Sequence, residues 1–110
     1  MEPVITILDA EVEEKNWEVL KNAYKKETSS MPVDIYQTFL IQSKSKPNSW
    51  RIMTQWRSLK DLEKMRQSTS VPVAVRIFQE AGAKPVLGVW DIKIQRINTN
   101  SPLFNTPDIH

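Results

Sequence analysis

The stretch TQWRSLKDL, residues 54–62, places Trp56 where the side-chain rhythm changes. Before it the residues alternate as in a strand, and after it Leu59 and Leu62 recur at helical spacing. A large aromatic at such a joint can fill a core or can form one wall of a reaction site. The remaining groups able to do chemistry are restricted. The chain has no cysteine, which excludes thiolate catalysis, zinc–thiolate sites and a disulfide framework. Its single histidine, His110, is the last residue, so no imidazole base is evident among the folded elements. Asp9, Glu11 and Asp91 are the strand carboxylates that could take a proton, and Arg51, Arg57 and Arg76 the cations that could stabilise an anion. The plainer account of each is a solvated edge carboxylate or a surface ion-pair partner.

The elements that must position these groups follow from periodicity. Residues 4–12, VITILDAEV, read as a first strand. Residues 13–29 read as a helix whose inward stripe is Trp17, Leu20 and Tyr24, with acidic residues at its start and lysines towards its end. Pro32 stops it. Residues 34–43 and 50–57 read as strands joined by the polar turn SKSKPNS, an antiparallel hairpin. On the first of these, Ile35, Phe39 and Ile41 are expected on one face and Tyr36, Thr38 and Leu40 on the other. Ser58, followed by Asp61, has the form of a weak capping box that opens a helix with Leu59, Leu62 and Met65 inward. A second short helix spans about 71–81, with Pro72 in its first turn and Gly82 as its stop. Residues 86–97, VLGVWDIKIQRI, read as the last strand, and residues 98–110 as a tail.

The order is β-α-β-β-α-β with the second helical segment split. This predicts one α+β domain over residues 1–97, a ferredoxin-like fold with a four-stranded antiparallel sheet and helices on one face. The strands are apolar on both faces, so the uncovered face implies a second copy packed by two-fold symmetry, with part of the buried surface available as a ligand pocket.

Composition narrows the partners. Fifteen basic and 13 acidic residues leave a net charge of +2, without the basic stripe that nucleic-acid binding needs. RIMTQWRS also lacks the aromatic signature of RNA-binding sheets. No apolar run approaches the ~20 residues of a membrane span. The acidic start MEPVITILDAEVEE lacks signal-peptide features, so a cytoplasmic location is expected.

The segments ITILDAEV, IYQTFLIQS, PNSWRIMTQWRSLKDLEKMRQS and GAKPVLGVWDIKI together resemble the antibiotic biosynthesis monooxygenase family of the dimeric α+β barrel superfamily, over about residues 4–97. The resemblance implies a homodimer with a pocket in each subunit between sheet and helices. It also implies oxidation of phenols, anthrones or quinols by O2 with no metal and no other cofactor. Such chemistry needs aromatic walls, a donor for an oxyanion and a base. Trp56, Tyr36 and Arg76 are the candidate catalytic residues; Asn16, Gln37, Gln55, Phe78 and Trp90 are the candidate substrate-binding residues. Histidines common in the family fall at Met65 and Ser70 here, which removes the axial ligand a haem-cleaving relative would use. The competing expectation is a non-catalytic dimer that binds a small ligand or serves assembly.

Overall fold

A computed structural model describes residues 3–68 and 72–100 of the chain. Ser70, Val71 and residues 101–110, most of the expected tail, lie outside the described residues. The run VITILDAE forms β1 (Val4–Glu11), its side chains alternately buried and half-buried, as a strand with one face on a core requires. A 3₁₀ turn at Glu14–Asn16 leads into α1 (Trp17–Glu27). Leu20 and Ala23 of α1 are buried, with Trp17 and Tyr24 packed beside them, so the expected stripe faces inward. The Thr28 hydroxyl closes the helix by donating to the Tyr24 carbonyl at 2.6 Å.

β2 (Ile35–Gln42) and β3 (Ser49–Trp56) form the antiparallel hairpin. Ser58 opens α2 (Leu59–Ser68) by accepting the Asp61 backbone N–H at 3.2 Å. Asp61 does not return a bond to the Ser58 backbone. Its carboxylate instead accepts from the Ser58 hydroxyl and from Arg57 Nε, both at 3.1 Å. α3 (Val73–Glu80) starts after Pro72 and ends before Gly82, whose φ of 73° is the left-handed turn that glycine adopts without strain. β4 (Val86–Asp91) completes an antiparallel sheet of order β2-β3-β1-β4 with the helices on one face. This is the ferredoxin-like α+β architecture.

The helix-covered face is built in rows by the register. Ala10 and Trp50 form one row, Leu8, Ile52 and Leu40 the next, then Thr6, Thr54 and Thr38, then Val4, Trp56 and Ile35. Two apolar clusters result. The larger centres on Leu20, Ile52, Ile77 and Phe78; the smaller joins Val4, Trp56 and Leu62. Each fully buried side chain of this size contributes about 1.5–3 kcal/mol by leaving water. The threonine row runs between the clusters.

Three sequence expectations are corrected. β4 stops at Asp91, because Val4↔Asp91 is the last pair with β1 and the next N–H, of Ile92, reaches Pro3 O. Residues 92–98 leave the sheet despite their continuing alternation. A β-bulge between Ile35 and Gln37 inverts parity there. Ile35 therefore joins the helix side with Thr38, whereas Tyr36 is 61% exposed. Trp50, at the start of β3, is buried edge-on to Trp17 with ring centroids 5.9 Å apart. Leu59 is exposed, leaving Leu62 as the buried anchor of α2.

Candidate ligand cavity

Where the two clusters fail to meet, a cavity of about 160 Å³ opens between the sheet and the three helices. Its floor is the threonine row, Thr6, Thr38 and Thr54, with Leu8 and Ile52 on one side and Trp56 and Ile35 on the other. Tyr24 of α1, Leu62 and Met65 of α2 and Ala74, Val75 and Ile77 of α3 close over it. Glu27, Met31, Arg66 and Val73 stand at its rim, Met31 and Val73 being partly open to solvent. About 150 Å³ of apolar space suffices for one benzene-sized ring, so this cavity encloses a single ring and larger ligands extend past the rim.

The polar groups of the floor are wired to one another. The Tyr24 hydroxyl donates to Thr38 Oγ1 at 3.1 Å, and Thr38 Oγ1 lies 3.2 Å from Thr54 Oγ1. Trp56 Nε1 donates to Thr6 Oγ1 at 3.1 Å. Trp56 is thus both core and wall: its ring packs on Val4 and Leu62 while it lines the cavity. Glu27 is the carboxylate of the lining among the described residues, and Arg76 Nη2 donates to it at 3.4 Å.

Of the residues expected from the sequence to form a site, Trp56 lines this cavity. Arg76 stands one residue removed from the lining, held on Glu27. Phe78 is fully buried in the larger cluster. Asn16 lies at the start of α1, near Gly82. The other four are grouped elsewhere, on or beside the outer face of the sheet. There Gln37 Nε2 donates to Gln55 Oε1 at 2.8 Å, and Gln55 Nε2 donates to Gln95 Oε1 at 3.1 Å. Trp90 lies over Gly88, where a Cβ would sit 2.9 Å from the indole nitrogen. Trp90 and Tyr36 are both 61% exposed. Phe39 and Ile41 are exposed on the same face, and Ile5, Ile7 and Met53 are half-buried there. Among the described residues no group of three or more histidines, cysteines or carboxylates is placed to hold a metal ion. No helix among them is long and apolar enough to cross a membrane.

The threonines and Tyr24 were not singled out as site residues in the sequence. The available signal was Thr38 and Thr54 at matching positions of a hairpin; Thr6 needed the β1–β3 register as well.

No family model matches the sequence, and no curated protein does. Among solved structures 37 chains match the fold. SnoaB, a cofactor-independent oxygenase from Streptomyces nogalater, superposes with a TM-score of 0.61 at 11% identity, over 92% of this chain and 100% of that one. A candidate antibiotic biosynthesis monooxygenase from Caulobacter crescentus gives 0.66 at 10% identity, over 83% and 90%. A conserved protein of unknown function from Bacteroides thetaiotaomicron gives 0.66 at 14% identity, over 83% and 98%. The chain has the ferredoxin-like α+β fold of the antibiotic biosynthesis monooxygenases. Likeness at this identity establishes the fold and leaves the chemistry to the site.

Proposed function

We propose that the chain belongs to the antibiotic biosynthesis monooxygenases and oxidises a small phenol, anthrone or quinol with O2, without a cofactor. The observation that carries this reading is the cavity, an apolar room with a tryptophan wall and a hydroxyl floor. In this chemistry the deprotonated substrate supplies the electrons. For an anthrone, one oxygen atom enters the ring methylene as a carbonyl, and the other leaves as water with both methylene hydrogens. The protein's part is to hold the ring dry, stabilise its oxyanion and take one proton. Trp56 forms the wall, the floor hydroxyls face the oxyanion and Glu27, steadied by Arg76, is the base. In this reading Asn16 and Phe78 support the fold, whereas Tyr36, Gln37, Gln55 and Trp90 serve the outer sheet face. A second copy of the chain covers that face, as its exposed Phe39, Ile41 and Trp90 favour.

The test is oxygen consumption with anthrone and a naphthohydroquinone, with product mass read by spectrometry. Uptake matched to a product carrying one new oxygen is the expected result, and Glu27→Gln should lower kcat by about 10²–10⁴-fold. Binding without oxygen uptake would favour the second reading, a non-catalytic binder of small aromatic molecules, which the absence of an imidazole from the lining among the described residues also suits.

A further inference from the structure

The threonine row holds one more proton than its bonds spend. Tyr24 gives its proton to Thr38, and one proton joins Thr38 to Thr54 at 3.2 Å, a bond that either hydroxyl can donate. Of the two threonine protons one is therefore unspent, and when Thr38 donates it is the Thr54 proton. The same holds on β1, where Thr6 Oγ1 accepts the Trp56 indole N–H. A hydroxyl carries one proton and two lone pairs, and neither Thr6 nor Thr54 has another side-chain partner among the described residues. The two are direct cross-strand partners on the same face, which puts their Cβ atoms about 4.5–5.5 Å apart. Both are more than nine-tenths buried and both line the cavity.

We propose that Thr6 and Thr54 form a two-donor site for one acceptor oxygen, a ketone carbonyl or a phenolate, and that this pair selects the ligand class by requiring such an oxygen on the enclosed ring. The pair is the end of two relays, Tyr24–Thr38–Thr54 and Trp56–Thr6. Each relay occupies one lone pair of its last hydroxyl and leaves that hydroxyl's proton for the cavity. A hydrocarbon of the same shape leaves both protons unpaired in a dry site. The proposal rests on the cavity being the ligand site, and it holds for an enzyme and for a binder alike.

The test uses a matched pair of probes, 1-tetralone and tetralin, titrated into the full chain by calorimetry. The wild type should bind the ketone more tightly than the hydrocarbon. Thr54→Val keeps the side-chain shape in a strand and should weaken 1-tetralone by about threefold to tenfold while binding tetralin at least as tightly as the wild type does. Thr54→Ser should restore the preference. Tyr24→Phe, which loosens the relay without touching the pair, should reduce the preference by a smaller factor. Thermal melts of each variant check the fold, and Thr6→Val, which removes the other donor, carries the test if Thr54→Val does not fold. Equal binding of the two probes by the wild type, or equal loss of both in Thr54→Val, would overturn the donor pair and leave the cavity standing as the site. Failure of the wild type to bind either probe would overturn the cavity and the pair together.

Discussion

Arg57 joins three parts of the molecule at the residue scale. Its Nη2 donates to Asp34 at 2.9 Å, just before β2, and its Nε donates to Asp61 in the first turn of α2. The Asp61 side chain is only 14% accessible. The Arg57 bond, helped by the Ser58 hydroxyl, holds its carboxyl below the ordinary carboxylate range. A lowered folded value means that Asp61 stabilises the fold above its unfolded pKa of about 3.9, and that this contribution disappears as the pH falls through the lower folded value. Asp61→Asn should therefore melt earlier than the wild type at pH 7, and the gap should close as the pH falls below the ordinary carboxylate range. Melting curves across that range decide it. A gap that persists in acid would show that the Asp61 charge is not the origin of the difference.

At the scale of elements, one of the three helices around the cavity is fixed by backbone punctuation. α3 is tied at both ends, by Pro72 at its start and by the left-handed Gly82 at its stop, and Ile77, Phe78 and Ala81 are buried. An alanine at position 82 would meet Asn16 Nδ2 at 3.6 Å, an ordinary contact, so its cost is backbone strain alone. Gly82→Ala should cost about 1–2 kcal/mol and lower Tm by about 4–8 °C per kcal/mol, read by circular dichroism. Such punctuation was legible in the sequence: the Ser58 cap, the Pro72 start and the Gly82 stop each act within a few residues. Strand parity in β1 and β3 was legible for the same reason, since one buried face imposes strict alternation. The bulge at Ile35 was not, because an extra residue in IYQTF breaks no local rule. The end of β4 was not either, because it is set by where β1 runs out of partners rather than by VWDIKI itself. The threonine row was hidden more deeply. Thr6, Thr38 and Thr54 are ordinary strand residues until two registers align them.

At the scale of the whole molecule, the sheet has one face under helices and one bare. The bare face carries Phe39, Ile41, Val86 and Trp90 exposed, around half-buried Ile5, Ile7 and Met53. It also carries the Arg51–Asp9 ion pair, which fixes polarity across it. Covering this face with a second copy should give twice the chain mass by light scattering. Met53→Lys, placing a charge in the middle of the face, should return the mass of one chain with the fold intact by circular dichroism. A wild type that scatters as one chain at every concentration would remove the partner from the account. The four tryptophans are distributed so that three different events fall on different rings. Trp90 stands in water on the bare face, and Trp56 has its N–H fixed at the cavity floor. Trp17 donates to Val12 O at 2.9 Å, and Trp50 beside it is buried with its N–H unpaired among the described residues. The indole proton resonances should therefore separate by environment and by exchange with solvent. Assembly would be seen at one ring, ligand entry at another and unfolding at the remaining two, so the chain carries its own spectroscopic labels for each of the questions its fold raises.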